Sequence, residues 1–385
     1  MQFFKLLISY FIALFIHAKY KNTWLIGERG VDARDNAFWL YKYICEEKNK
    51  QDIYYLIDSN SPDFKKIKKI GKYVIPNTIK HGILFFSSST LISTHAYLCC
   101  PKWKGAHFLL RNKIFNKHEK HIYIQHGLVK DYLPDLTYPT LDVDLYTAGA
   151  LPEYNFLCEK FNFPDNVVKY TGLARYDNLW RHKNQNSKTN ENFVLVMPTW
   201  RHYLEKCDSL DSFKKSEFFQ VFSSFLSNNE ILNTLKKFNL KIIFYPHYEM
   251  QKWIKAFENF ENEFIIVAKF ANYDVQDLLM NCDFLVTDYS SVFFDIAYMR
   301  KPVIFYQFDE QLFRDTQYQE GYFKYEDSFG PVCYNEVDLI NEFNQITQNG
   351  ISKNFLDNEK NFFEKNDDRC CERIYDAILS AKIHR

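Results

Sequence analysis

The side chains suited to chemistry recur at one kind of place, just beyond a short apolar run. His95 follows "TLIST", His126 and Gly127 follow "HIYIQ", and Arg175 comes soon after "VVKYTG". Trp200 and Arg201 follow "FVLVMPT", His247 follows "KIIFYP", and Asp288, Ser290 and Ser291 follow "FLV" and Thr287. Imidazole titrates near neutral pH and suits proton transfer. Guanidinium grips phosphate oxygens in pairs. Taken singly, each has a plainer explanation: a loop histidine held by hydrogen bonds, an arginine in a surface ion pair, an aspartate capping a helix. Together they provide the base, the cations and the hydroxyl donors that phosphoryl-type transfer requires.

The densest stretch is "CDFLVTDYSSVFFDIAYMRKPVIFYQ", from Cys282 to Gln307. It reads as a strand, a polar knot, a helix from Ser290 to about Met299, and a second strand. Free backbone N–H groups at such a helix start, with two serine hydroxyls, suit a phosphate or diphosphate. Asp288 or Ser290 is the expected cap, and Asp295 falls on the first turns. Neither G-x-x-x-x-G-K-[ST] nor G-x-G-x-x-G occurs, so a nucleotide-hydrolysing P-loop and a dinucleotide fingerprint find no support. "DVDL" (residues 142–145) has the spacing of a metal-binding acidic pair but precedes its strand, at the wrong end, and reads as a solvated turn.

Positioning these groups requires regular elements. Apolar runs at residues 23–29, 52–58, 72–76, 90–94, 121–127, 144–149 and 167–172 read as strands in the first half. Those at 193–199, 241–247, 264–269, 284–288, 302–307 and 331–335 repeat the rhythm in the second. Unbroken Val/Ile/Phe runs suit strands covered on both faces. Alternation with helical segments, such as "DNAFWLYKYICEEKNK" capped by Asp35, gives two doubly wound α/β domains. In such sheets the ligand crevice lies beyond the carboxyl ends of the strands, where the reactive groups fall. "RHKNQNSKTNEN" (residues 181–192) is the expected linker, and "DDRCCERIYDAILSAKI" an expected terminal helix.

At these residues the chain resembles the CDP-glycerol glycerophosphotransferase family, enzymes that prime or polymerise teichoic-acid-type chains. The main carrier is "DVQDLLMNCDFLVTDYSSVFFDIAYMRKPVIFYQFDE"; "DARDNAFWLYKY", "IQHG", "TGLARYD", "MPTWR" and "YPH" match further blocks in order. The resemblance implies a GT-B fold, two doubly wound Rossmann-like domains facing a cleft. It implies His126 as catalytic base and His247 as a second essential histidine near the diphosphate. It further implies that Gly127, Arg175, Arg201, Asp288, Ser290, Ser291 and Asp295 bind the donor. An acceptor hydroxyl would attack CDP-glycerol and release CMP, with no metal and no other cofactor. Departures occur: Gln125 replaces a usual Trp, Leu128-Val129 a Thr-Pro, Tyr245-Pro246 an Arg-Met, and Glu320-Gly321 an Arg-Gly. They leave open a different polyol, a GT-B glycosyltransferase using a nucleotide sugar, and a non-catalytic membrane-surface scaffold.

Composition frames the expected partners. The 385 residues suffice for two domains, and 46% apolar with 25% charged content is globular. Formal net charge is zero, which gives a nucleic-acid partner no support. Nine cysteines without C-x-x-C spacing read as reduced thiols of a cytoplasmic protein. "FFKLLISYFIALFI" (residues 3–16) is apolar but shorter than the ~20 residues a bilayer span needs. The readings are an interfacial helix, a short or tilted anchor, or a helix packed on the protein's own core. Attachment to the cytoplasmic face of the inner membrane is the expectation. The expected division is a membrane-associating segment (1–22), an acceptor-side domain (23–185), a donor domain (190–365) and a helix (366–385) packing back on the first.

Overall fold

The computed structural model describes residues 2–96, 99–106, 119–185 and 191–384. It divides into two compact units: Met1–Leu128, Pro134–Asn178 and Asp367–Arg385 form unit 1, and Val129–Leu133 with Leu179–Asn366 form unit 2.

Unit 1 is built on a seven-stranded sheet in the order β3-β2-β1-β4-β5-β6-β7. Its strands are β1 (Trp24–Gly27), β2 (Ile53–Leu56), β3 (Tyr73–Val74), β4 (Thr90–Ser93), β5 (Lys120–Tyr123), β6 (Leu145–Ala148) and β7 (Val168–Tyr170). All pairs are parallel. The apolar runs are strands because both sheet faces are covered, so no polar alternation is called for. Helix α2 (Asn36–Glu47) starts at Asp35, whose carboxylate accepts from the Asn36 N–H at 2.7 Å. Its apolar face (Ala37, Phe38, Leu40, Tyr41, Ile44) is buried with Ile26, Tyr55 and Ile92. The terminal helix Cys370–Ser380 joins the same core through Cys371, Ile374 and Ile378. Asp177 fixes its start, accepting from the N–H groups of Cys370 (2.7 Å) and Cys371 (2.9 Å).

The N-terminal helix α1 runs from Gln2 to Tyr20, longer than the apolar run alone suggests, because "HAKY" continues it. Leu6, Ser9 and Ala13 are buried, and α1 packs against α4 (Ile79–Ser87). A Cβ on Gly82 of α4 would fall 2.5 Å from the Ser9 hydroxyl, so only glycine permits this approach. Phe3, Phe4, Phe11 and Phe15 remain exposed on the outer side.

Unit 2 carries a six-stranded parallel sheet in the order β10-β9-β8-β11-β12-β13. Its strands are β8 (Phe193–Val196), β9 (Lys241–Phe244), β10 (Ile265–Val267), β11 (Phe284–Thr287), β12 (Val303–Tyr306) and β13 (Val332–Cys333). A large aromatic core under the sheet includes Phe213, Phe218, Phe222, Phe225, Phe244 and Phe257. The expected linker differs in part: its first residues continue the helix Tyr176–Asn184, and residues 186–190 lie outside those described. None of the nine cysteines is bridged.

Candidate functional site

In unit 1 the reactive groups collect beyond the carboxyl ends of β1, β4 and β5. The sequence suggests a strand as far as Gly127, but β5 stops at Tyr123. Gln125 then adopts φ +36°, a left-handed value that a long side chain rarely takes, and the chain turns to present His126. Buried side-chain bonds hold that turn. The Gln125 amide donates to the Thr147 carbonyl (2.9 Å) and to Glu153 (3.2 Å), and accepts from the Tyr146 hydroxyl (3.3 Å). Asn36 donates to the Gln125 carbonyl at 2.8 Å.

The His126 ring is exposed, and its Nδ1 lies 3.4 Å from the Thr94 carbonyl. A carbonyl only accepts, so this contact puts the proton on Nδ1 and the lone pair on Nε2, the form a general base needs. His95 stacks on His126 with ring centres 5.2 Å apart. Burial, helped by the neighbouring His126 and Arg29 charges, lowers the His95 pKa to about 4. His95 is therefore neutral near pH 7.

Arg175, expected at the donor, follows β7 and reaches back to the His126 loop. The residue is 8% exposed; its Nη1 donates to Asp35 (2.9 Å) and to the His126 carbonyl (2.8 Å). Its backbone N–H donates to Asn36 at 3.1 Å. In this arrangement Arg175 braces the loop that carries His126. Gly127 is buried within that loop. Glu28, absent from the sequence expectations, lies beyond β1 and accepts from the N–H groups of Arg34, Asp35 and Phe38. Burial and the nearby Asp35 and Asp32 push its pKa up to about 8.

Unit 2 gathers the remaining candidates beyond β8, β9, β11 and β12. Arg201, also expected at the donor, is fully buried. It forms a bidentate pair with Asp309 (Nε 2.7 Å, Nη2 3.1 Å), meets Asp288 at 2.8 Å, and donates to the Thr199 carbonyl at 2.7 Å. Burial alone would lower its pKa; Asp288 and Asp309 outweigh that and hold it above the ordinary arginine value. Asp288 is buried as well and accepts from the N–H groups of Thr199 (2.9 Å) and Tyr289 (2.6 Å). It does not cap the following helix. Asp309, unnoticed in the sequence, also accepts from the hydroxyls of Tyr203 (2.6 Å) and Tyr289 (3.3 Å). The three neighbouring strand ends β8, β11 and β12 are thus tied together by one guanidinium and two carboxylates.

The helix itself is shorter than the sequence suggests. It spans Phe293–Tyr298 with Val292 at its N-cap position, and Ser290–Val292 form a turn ahead of it. Ser290 and Ser291 are half-buried on that turn; Asp295 is buried within the helix. His247 follows β9 and is half-buried. Its Nδ1 accepts from the Glu249 N–H (3.3 Å), which places the ring proton on Nε2 as a donor. Its backbone N–H reaches the Pro198 carbonyl (3.1 Å), beside the Arg201 loop. Among the described residues no group of three or more His, Cys, Asp or Glu side chains converges to hold a metal.

A family model described as CDP-Glycerol:Poly(glycerophosphate) glycerophosphotransferase matches residues 8–380. The minor teichoic acid biosynthesis protein GgaB of Bacillus subtilis (strain 168) is 31% identical over 374 residues, spanning 93% of this chain and 40% of that protein. The teichoic acid glycerol-phosphate primase of the same organism is 25% identical over 244 residues, spanning 62% of this chain and 58% of that protein. The chain thus covers less than two thirds of either relative. A solved structure of the wall teichoic acid polymerase TagF shares the fold, with TM-score 0.68 at 18% identity over 97% of this chain and 93% of that one.

Proposed function

We propose that this chain, which belongs to the CDP-glycerol:poly(glycerophosphate) glycerophosphotransferase family and has its two-unit GT-B fold, moves glycerol phosphate or a related polyol phosphate from CDP-glycerol to a hydroxyl of a cell-surface glycan or lipid-linked acceptor, releasing CMP. The observation that carries the reading is the family match over residues 8–380, which takes in both the exposed His126 and the Asp288–Ser291 loop.

Unit 1 supplies the base. The acceptor oxygen attacks the β-phosphorus; its proton passes to Nε2 of His126, a new P–O bond forms, and the bond to the CMP oxygen breaks. An alcohol is almost wholly protonated at pH 7, so a positioned general base contributes ~10²–10⁴-fold. Unit 2 supplies groups for the diphosphate: the His247 Nε2–H and the Ser290 and Ser291 hydroxyls are donors for charge that builds as CMP leaves. Arg175 and Arg201 act through the loops they hold rather than by direct contact. Asp288 sets the backbone that leads into Ser290. Asp295, buried in its helix, supports the same turn. The whole reaction runs on the chain's own protic groups. Through its exposed apolar face α1 attaches the protein to the cytoplasmic side of the membrane.

Purified protein supplied with CDP-glycerol, CDP-ribitol or UDP-sugars and a membrane extract as acceptor tests the reading. CMP release from a CDP-polyol is expected. UDP release from a sugar donor without CMP from either polyol would overturn it. His126→Ala is expected to reduce turnover by about 10²-fold or more while CDP-glycerol still binds. Unchanged turnover would remove His126 from the mechanism.

A further inference from the structure

Helix α2 is capped from outside its own start. An N-cap side chain ordinarily accepts from the N–H two or three residues on. Asp35 holds the N-cap position, yet the N–H of Phe38, three residues on, goes to Glu28 at 3.1 Å. The same Glu28 carboxylate takes the N–H groups of Asp35 (2.9 Å) and Arg34 (3.1 Å). Glu28 is buried and directly follows Gly27, the last residue of β1. The central strand of the sheet thus supplies the acceptor for donors at a helix start that would otherwise go unmet.

This arrangement turns the Asp35 carboxylate to another partner. Its Oδ1 accepts from the adjacent Asn36 N–H (2.7 Å) and from Nη1 of Arg175 (2.9 Å). That same Nη1 donates to the His126 carbonyl at 2.8 Å. Asn36, the first residue of α2, donates to the Gln125 carbonyl (2.8 Å) and accepts from the Arg175 backbone N–H (3.1 Å). The first turn of α2 therefore holds the carbonyls of both Gln125 and His126, one directly and one through Arg175. Gln125 needs such holding, because its left-handed backbone persists only where the surroundings impose it. Glu28, Asp35, His126 and Arg175 all belong to unit 1. Without Glu28, the ordinary N-cap bond would draw the Asp35 carboxylate inward to Phe38 and away from Arg175.

We propose that Glu28 is a positioning residue: by capping α2 in place of Asp35 it keeps that carboxylate on Arg175, and so fixes the backbone that presents His126. The proposal rests on the transferase reading only for what His126 does; the linkage itself is independent of it. Glu28→Met keeps the side-chain length and removes both acceptor oxygens. It is expected to lower kcat about tenfold or more, as small misplacements of a reacting group do. The KM for CDP-glycerol is expected to change less than about twofold, because the donor groups stand in unit 2. Glu28→Gln retains one oxygen for the Phe38 N–H and is expected to recover most of kcat. Asp35→Ser still caps the helix but gives up the Arg175 contact, and is expected to lose as much as Glu28→Met. The double variant is expected to lose no more than either alone, whereas independent effects would multiply to about a hundredfold. A further readout needs no turnover. With 15N in the histidine rings, the His126 signal is identified by its loss in His126→Ala, and its shifts report protonation at Nδ1. Glu28→Met and Asp35→Ser are both expected to move that signal toward a mixture of tautomers. Wild-type kcat with an unmoved signal in Glu28→Met would overturn the proposal, as would multiplied losses in the double variant. If Glu28→Met fails to fold, an unmoved signal in Asp35→Ser overturns it equally. A moved signal in both variants, with no CMP released from CDP-glycerol by the wild type, would uphold the linkage and remove the transferase reading.

Discussion

Arg201 stands where the sequence suggests a phosphate ligand, yet its guanidinium faces Asp309 along one edge and Asp288 at another, wholly out of water. A buried charge is tolerated only when its partners remain, and breaking such a cluster costs about 3–5 kcal/mol. Asp309 also receives the Tyr203 and Tyr289 hydroxyls, and Tyr289 adjoins Ser290. Asp309→Asn keeps the shape and removes one charge. We expect it to lower unfolding free energy by about 3 kcal/mol and to raise the KM for CDP-glycerol more than it lowers kcat, because the Ser290 turn loses its anchor. Urea unfolding and donor titration check both parts, and Asp309→Glu should recover most of the KM. A KM equal to wild type in a destabilised Asp309→Asn would confine Asp309 to stability. None of this was legible in the sequence, where "FDE" after β12 is an ordinary loop and only the fold brings Asp309 to Arg201, 108 positions away.

Elements were more legible than their ends. Each described strand falls inside an apolar run read from the sequence except β5, which starts one residue earlier at Lys120, because covering by helices on both faces leaves a continuous Val/Ile/Phe signature. The ends were misjudged where a local rule was broken. Gln125 takes a left-handed conformation that its side chain disfavours, so the run to Gly127 read as strand. Ser290 reads as a helix start because Asp288 looks like a cap, but that carboxylate is turned onto Thr199 and the helix waits until Phe293. The places of Ser290, Ser291, His126 and His247 beyond strand ends were legible in the sequence, while the buried groups that hold their loops were not. Helix α4 brings a further consequence. Burial lowers the pKa of His81 to about 4, and that of His95 likewise to about 4. Both pKa values lie below the unfolded one near 6.5, so the unfolded chain takes up protons that the folded chain refuses. Their contribution is complete above pH 6.5 and is lost as pH falls toward 4. Between pH 7 and pH 5 we expect stability to fall by about 2 kcal/mol from His81 alone. Urea unfolding of wild type and His81→Asn at both pH values measures this: the variant is weaker at pH 7 but flatter with pH, and equal slopes would refute the assignment.

At the scale of the molecule, each unit repeats one plan, a parallel sheet with its reactive groups beyond the carboxyl edge at the strand-order reversal. In unit 2 that reversal lies between β8 and β11, where Arg201 and the Asp288–Ser291 loop stand; in unit 1 it lies between β1 and β4, where Glu28 and His95 line a cavity of 570 Å³. Helix α1 is the element outside this plan. Its 19 residues would extend ~28 Å at 1.5 Å per residue, close to a hydrocarbon thickness, so length alone does not separate a span from an interfacial helix. Packing supports the interfacial reading. Leu6, Ser9 and Ala13 are buried and α1 lies along α4, with the Ser9 hydroxyl 3.3 Å from the Ile79 carbonyl, so one flank is already bound to unit 1. The opposite flank exposes Phe3, Phe4, Phe11 and Phe15, the last at 87%. In the attachment proposed above, a helix held on one side and apolar on the other would lie in the interface, where each phenylalanine removed from water contributes about 1.5–3 kcal/mol. Replacing these four by serine leaves the buried flank and the contact with α4 in place. The variant is expected to keep the wild-type melting temperature and CDP-glycerol affinity, and to lose most of its co-sedimentation with anionic liposomes. Full retention on liposomes would show that the attachment lies elsewhere than on α1.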